Sequence, residues 1–338
     1  MNTQNLSKRL PWIDVLKGIG IILVVIGHVY SGTTIYNWLY SFHMPLFFLA
    51  AGLVYKEKPI LIDLKRRIQT VVVPYFSFGL LVLIYWYLVE RRFRTSETGF
   101  IDSLLGLLSG QYSKLDFNVH LWFLPCFFIT VVLFNVFVNL GNLITGVIAA
   151  SLMSIIYIFV PLVEMPWGFD RVFKYIGFYA VGVLLANCKY IVEASRHIYK
   201  NIVFGIMMIL MNFVLAYFNQ TSGGMWFVTA FIGTFGVLFL SLAIDKNRTL
   251  QYWGRISLVI LCIHGPIYRI IAKIISILLH ISTDAVRESF LLSIIVVVVS
   301  ITICSFIYEV VVRVAPWMIG KNGVKSINIT DYNSDKKN

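Results

Sequence analysis

Charge is what this sequence has least of. Only 13% of its 338 residues are Asp, Glu, Lys or Arg, and just 16 are acidic. A soluble domain of this size needs about a quarter of its residues charged to cover its surface. With roughly half that share and 59% hydrophobic residues, a water-soluble globular fold is excluded, leaving an integral membrane protein. Cysteine is scarce too: Cys126, Cys188, Cys262 and Cys304 lie far apart in apolar stretches. Without CxxC or Cys/His ligand spacing they read as small packing residues, and no metal is expected. The acidic deficit leaves a net charge of +12, but the basic residues form short clusters between apolar runs. No basic face interleaved with aromatics appears, which excludes a nucleic-acid partner. Internal repeats and an appended soluble catalytic domain are absent as well.

What is present is long apolar runs. A membrane-spanning helix needs about 20 mostly apolar residues, and about ten such runs occur, at 11–30, 36–55, 71–89, 119–139, 142–162, 171–187, 201–218, 225–244, 256–279 and 289–312. The expected fold is therefore an all-α integral membrane protein of about ten transmembrane helices. It divides into a cytoplasmic N-terminus 1–10, a membrane domain 11–312 and a polar cytoplasmic tail 313–338. An even count puts both termini on one side, and the positive-inside rule chooses that side. With the N-terminus inside, eighteen of the 28 Lys and Arg residues fall in cytoplasmic segments and seven in outer ones. Both termini are expected in the cytoplasm. Arg91, Arg92 and Arg94 dissent, and the apolar patch Phe100 to Leu108 beside them reads as a short interfacial or re-entrant helix. The first run carries Asp14 and Lys17 and has no small-residue cleavage site, so it reads as a retained helix and not a signal peptide.

Ionisable residues inside spans cost several kcal/mol unless they face a polar interior, so each is a candidate site. Lys17 and His28 are eleven residues apart, which on a helix is three turns plus roughly 20°, and about 16 Å of rise. They share a face, and Asp14 lies one turn before Lys17, placed to pair with it. Near the outer end of this helix, a histidine that titrates near neutrality suits a general base. His43 stands beside Pro45, where it either serves chemistry or caps a carbonyl freed by a proline kink. Lys65, Arg66 and Arg67 either bind a phosphorylated ligand or simply set topology. His120 and Trp122 open the fourth run, Asp170 and Arg171 the sixth, and His264-Gly265-Pro266 interrupts the ninth, with Arg269 and Lys273 extending its polar stripe. Trp122, and Trp167 just before Asp170, have a plain alternative as interface anchors. Glu309 can supply a counter-charge or simply reach the interface.

In order along the chain stand Trp12-Ile13-Asp14-x-x-Lys17-Gly18 with Gly27-His28, then Phe42-His43-Met44-Pro45-Leu46-Phe47-Phe48 with Gly52, the basic run before Pro74-Tyr75, Leu121-Trp122-Phe123-Leu124, and Ile256-Ser257-Leu258 leading to His264-Gly265-Pro266. This ordered set resembles the membrane acyltransferase 3 family over roughly residues 10 to 312. It is most similar to the stand-alone sugar O-acetyltransferases of the fucose 4-O-acetylase, capsular polysaccharide and intercellular adhesion protein C types. That family usually has Arg at the position of Lys17. A point charge stands here in place of a fork. The resemblance implies a multi-pass enzyme of the bacterial plasma membrane that moves an acyl group from cytoplasmic acyl-CoA, acetyl-CoA in the first instance, to a carbohydrate hydroxyl. It also implies that His28 is catalytic, that Lys17 supports the donor or the active site, and that Arg66 and Arg67 contact the donor. The implied partners are a surface polysaccharide or lipid-linked sugar and the membrane lipids. A sugar exporter is the alternative, because intramembrane charges and broken helices also mark transport paths.

Overall fold

The computed structural model describes residues 10–93, 98–186, 197–218 and 223–321. The basic pair Lys8-Arg9, Arg94, Cys188, Lys189, Arg196 and the tail from residue 322 lie outside the described residues. The described chain is helical throughout, with no strand among the described residues.

Helix α1 (Pro11–Val29) starts with proline at its first position, where the missing N–H costs nothing. Expected span 36–55 is divided into α2 (Thr33–Tyr40) and α3 (His43–Gly52). The break falls at Ser41-Phe42, and Pro45 sits in the first turn of α3, where it is tolerated. Helix α4 (Ile60–Arg67) runs through a π-turn at Ile68–Val72 into α5 (Val73–Leu88). The short helix expected beside the 90–118 loop is α6 (Phe100–Ser109), held to α5 by the Tyr75 hydroxyl, which donates to the Leu107 carbonyl.

The remaining helices are α7 (Phe123–Leu140), α8 (Leu143–Phe159), α9 (Phe169–Ala186), α10 (Ile198–Tyr217), α11 (Gly223–Ala243), α12 (Arg248–Leu279), α13 (Thr283–Glu288) and α14 (Phe290–Val314). Their starts are written in side chains. Asn142, Asn247, Ser282 and Ser289 each accept from the backbone N–H three residues on.

Among the described residues, seven helices are long and apolar enough to cross a membrane: Pro11–Val29, Ile60–Arg92, Val119–Leu140, Ile198–Tyr217, Gly223–Ala243, Arg248–Leu279 and Phe290–Val314. Three expected spans fall short for visible reasons. The α2/α3 segment is broken, α8 has 17 residues, and α9 begins with Asp170, Arg171 and Lys174.

Helix α1 is the axis of the bundle, lying along α12 and against α3 and α11. Its contact with α12 is backbone to backbone, because Gly18 faces the Leu250 carbonyl and Gly254 faces the Asp14 carbonyl, with no room for a Cβ. Glycines 52 and 182 do the same where α3 crosses α9. Outward faces such as Phe204, Met207 and Met211 on α10 and Leu291, Val298 and Phe306 on α14 are exposed and apolar, as lipid contact requires. Cys126, Cys262 and Cys304 are buried and unpaired.

Candidate active site

Helix α1 ends one residue after His28, and a cation closes it. The Arg287 Nε of α13 donates to the Val29 carbonyl at 3.2 Å and its Nη2 to the His28 carbonyl at 3.3 Å, while Ser31 N donates back to the Arg287 carbonyl. A guanidinium at a helix C-terminus satisfies orphaned carbonyls and suits the negative end of the dipole. The backbone at His28 is thus fixed from outside its own helix. The side chain is fixed by α2: His28 Nδ1 lies 2.7 Å from the Tyr40 hydroxyl.

A second histidine arrives through a proline. Pro266 has no N–H, so the Cys262 carbonyl four residues earlier loses its helical donor. The Asn118 side chain takes its place, donating from Nδ2 at 2.8 Å. That bond fastens the 3-10 turn Val119–Trp122, and His120 with it, to α12. Gly265 makes room, because a Cβ there would lie 2.8 Å from His120 Cδ2. His264 completes the group from within α12. Its Nδ1 lies 2.9 Å from the Ile260 carbonyl and 3.0 Å from that of Leu261, so Nδ1 carries the hydrogen and Nε2 keeps the lone pair.

The three rings form one cluster, with centroids 3.9 Å apart for His28 and His120, 4.3 Å for His120 and His264, and 5.4 Å for His28 and His264. Among the described residues, both nitrogens of His120 and Nε2 of His264 are buried without a hydrogen-bond partner. Unsatisfied buried polar atoms are costly, so a cluster of them marks a place built for chemistry or a ligand. One nitrogen from each ring lies within 4.8 Å of the others, close enough for the three to close on one metal ion.

His28 and His120 of this cluster form a wall shared by two cavities, while His264 lines neither. One, of about 520 Å³, is bounded by His43, Trp122, Arg171, Lys174 and Trp226. The other, of about 1060 Å³, is bounded by Glu90, Tyr268, Arg269, Lys273 and Arg287. His28, His120, Tyr36, Tyr40 and Tyr112 line both. A reactant in each would meet at His28. The rim is braced where Ser113 N and Oγ donate to the Glu164 carboxylate. Partial burial would raise the Glu164 pKa, but these bonds hold it below the ordinary carboxylate value.

The other candidates are placed as follows. His43 lines the smaller cavity, and its Nδ1 donates at 2.6 Å to the Leu39 carbonyl, which is not the one, that of Ser41, whose helical donor Pro45 removes. Trp122 lies under the Arg171 guanidinium at 4.6 Å, and Asp170 accepts from Met165 N. Asp14 and Lys17 pair at 2.9 Å near the opposite end of α1, and Asp63 holds Arg67 at 3.3 Å on α4 while Lys65 and Arg66 are exposed. These last six do not line either cavity. Arg269 meets Glu90 at 2.6 Å, while Glu309 accepts from the Tyr252 hydroxyl. Trp167 occupies a left-handed corner before α9, its Nε1 donating to the Leu108 carbonyl.

Sequence reasoning missed Tyr40, Asn118, Glu90 and Lys174 as parts of the site. Only Asn118 left a signal, as a polar residue just before His120 that could serve a carbonyl freed by Pro266.

Neither curated proteins nor solved structures gave a match to this chain. The profile of the acyltransferase 3 family, described as an acyltransferase domain, covers residues 10–310 and with them every residue of the histidine cluster and both cavities. The chain belongs to that family and is an acyltransferase.

Proposed function

We propose that the protein transfers an acyl group, acetyl in the first instance, from acyl-CoA to a hydroxyl of a surface polysaccharide or lipid-linked sugar. The observation that carries this reading is the position of His28 in the wall common to two cavities. The acceptor hydroxyl attacks the thioester carbonyl carbon as its proton passes to His28 Nε2. The new C–O bond forms, the C–S bond breaks, and the proton leaves with the CoA thiol. For Nε2 to accept, Nδ1 must hold its hydrogen toward the Tyr40 oxygen, and the 2.7 Å separation suits that bond. Tyr40 thereby sets the tautomer. His120, with no partner for its N–H among the described residues, stands beside His28 to donate to the tetrahedral oxyanion. An acyl-histidine intermediate on His28 uses the same residues.

The proposed setting is the plasma membrane of a bacterium, crossed by about ten helices with both termini in the cytoplasm. The seven long apolar helices support a multi-pass membrane protein, and the count of ten and the orientation rest on the apolar runs and the distribution of basic residues in the sequence. In that frame Lys17, Lys65, Arg66 and Arg67 serve the CoA side. Their charges are suited to its phosphates, and the pantetheine arm covers the rise of about 16 Å from Lys17 to His28. Sugar export has no observation of its own here, whereas family membership speaks for chemistry.

The test is incubation of purified protein in lipid with radiolabelled acetyl-CoA and the host's surface glycans. Wild type should label the glycan and His28→Ala should not, while both insert normally. Label retained in His28→Ala removes the histidine from the reaction; label transferred only from longer acyl-CoAs corrects the acyl group.

A further inference from the structure

The smaller cavity is charged in a way its neighbour is not. Arg171 and Lys174 enter it from successive turns of α9. The Arg171 guanidinium rests on Tyr112 at 4.3 Å and Trp122 at 4.6 Å, and the Lys174 ammonium lies 3.8 Å from the ring centroid of Trp226. Among the described residues, no Asp or Glu lines this cavity. Asp170 comes only to 3.9 Å of Arg171, through one carboxylate oxygen, while its other oxygen accepts from Met165 N. In the larger cavity Arg269 is matched by Glu90, and Asp116 shares the wall.

Beyond the long pairing of Arg171 with Asp170, the ordinary reasons for a cation fail at both positions. In the proposed topology Arg171 and Lys174 lie toward the outer side, where the positive-inside rule does not favour them. The first turn of α9 is the positive end of its dipole, so Arg171 there is unfavourable. Lys174 has aromatic partners and no carboxylate among the described residues. Stacking on a ring leaves the in-plane N–H edge of a guanidinium free to bind an anion bidentately. His120, 4% exposed with both ring nitrogens bare, faces the same space.

We propose that this cavity is the acceptor site and that it selects an anionic carbohydrate. A phosphate or carboxylate lies between Arg171 and Lys174, and the sugar ring lies against the faces of Trp122 and Trp226. The proposal rests on the acyl-transfer reading and narrows its acceptor to charged sugars.

The experiment compares glucose 1-phosphate, glucuronate and methyl glucoside as acceptors for the purified protein in nanodiscs with acetyl-CoA, reading CoA release. Calorimetric titration with glucose 1-phosphate alone runs in parallel. At least one charged sugar should exceed methyl glucoside about tenfold in kcat/KM. Lys174→Gln and Arg171→Gln should each lower that ratio about tenfold, through KM, and Lys174→Arg should restore most of it. The calorimetric Kd should weaken by a similar factor in Lys174→Gln. Preference for glucose 1-phosphate over glucuronate assigns the anion as phosphate, and the reverse assigns a carboxylate. Equal kcat/KM for neutral and charged sugars overturns the proposal, as does a rise in KM for acetyl-CoA alone, which would give the two cations to the donor. If wild type releases no CoA with any acceptor but binds glucose 1-phosphate through Lys174, the acyl-transfer reading fails and the anion site stands.

Discussion

The two ends of α1 hold their polar residues in opposite ways. Toward its N-terminal end, charges find partners on their own helix: Lys17 with Asp14 three residues away, and on α4 Arg67 with Asp63 four residues away. At its C-terminal end nothing is settled locally. His28 is held by Tyr40 of α2 and Arg287 of α13, and is approached by His120 and His264 from two other segments. One end is neutralised, and the other keeps bare ring nitrogens in contact with cavities. Reactivity follows where local pairing is withheld.

The largest effect expected from breaking this contrast is His28→Ala, which should reduce acyl transfer about 10²- to 10⁴-fold at unchanged expression. His120→Ala should cost a comparable factor. The double variant should lose little more than either single one, because groups acting as a unit are not additive; full additivity in kcat/KM would separate the two residues. Next comes Gly265→Ala, whose Cβ meets His120 at 2.8 Å. It should lower kcat while leaving binding of acyl-CoA within twofold, and an unchanged kcat would show that the ring has room to retreat. Asn118→Ala strips the Cys262 carbonyl of its buried donor, which should destabilise the protein by about 1–3 kcal/mol. A Tm equal to wild type in a detergent melt would contradict that bond. The smallest effect belongs to the N-terminal end. Lys17→Ala and Arg66→Ala should raise KM for acyl-CoA several-fold and spare kcat, and a loss of kcat matching His28→Ala would erase the distinction between the ends. A chelator sharpens the same comparison. With His28 as base, EDTA leaves activity intact, whereas loss restored by Zn²⁺ would recast the three histidines as ligands.

Sequence legibility divides along the same line. The inner pair was readable because helical spacing alone puts Asp14 beside Lys17. The apolar runs gave nearly every helix, since a run of about 20 apolar residues admits few alternatives. The break at Ser41-Phe42 was expected at Pro45, because proline marks a weak point whereas its effect depends on where the turn begins. His28, His120 and His264 could each be singled out as ionisable residues in apolar surroundings. Their meeting could not, because it depends on which helices pack together. Lys174 was invisible for a further reason: its partners are aromatic rings, and the sequence is rich in those everywhere.

The close packing of α1 along α12 also bears on how the protein is made. A chain entering the membrane in order inserts α1, with its Lys17 and His28, first, and the segment that carries His264 and seals Gly18 against Leu250 follows more than two hundred residues later. Until then Lys17 and His28 must be sheltered by lipid headgroups, by water in the insertion machinery, or by helices that will later give way. Chains cut short before α12 should be caught by quality control as unfinished, since the gap left along α1 runs the length of the bundle.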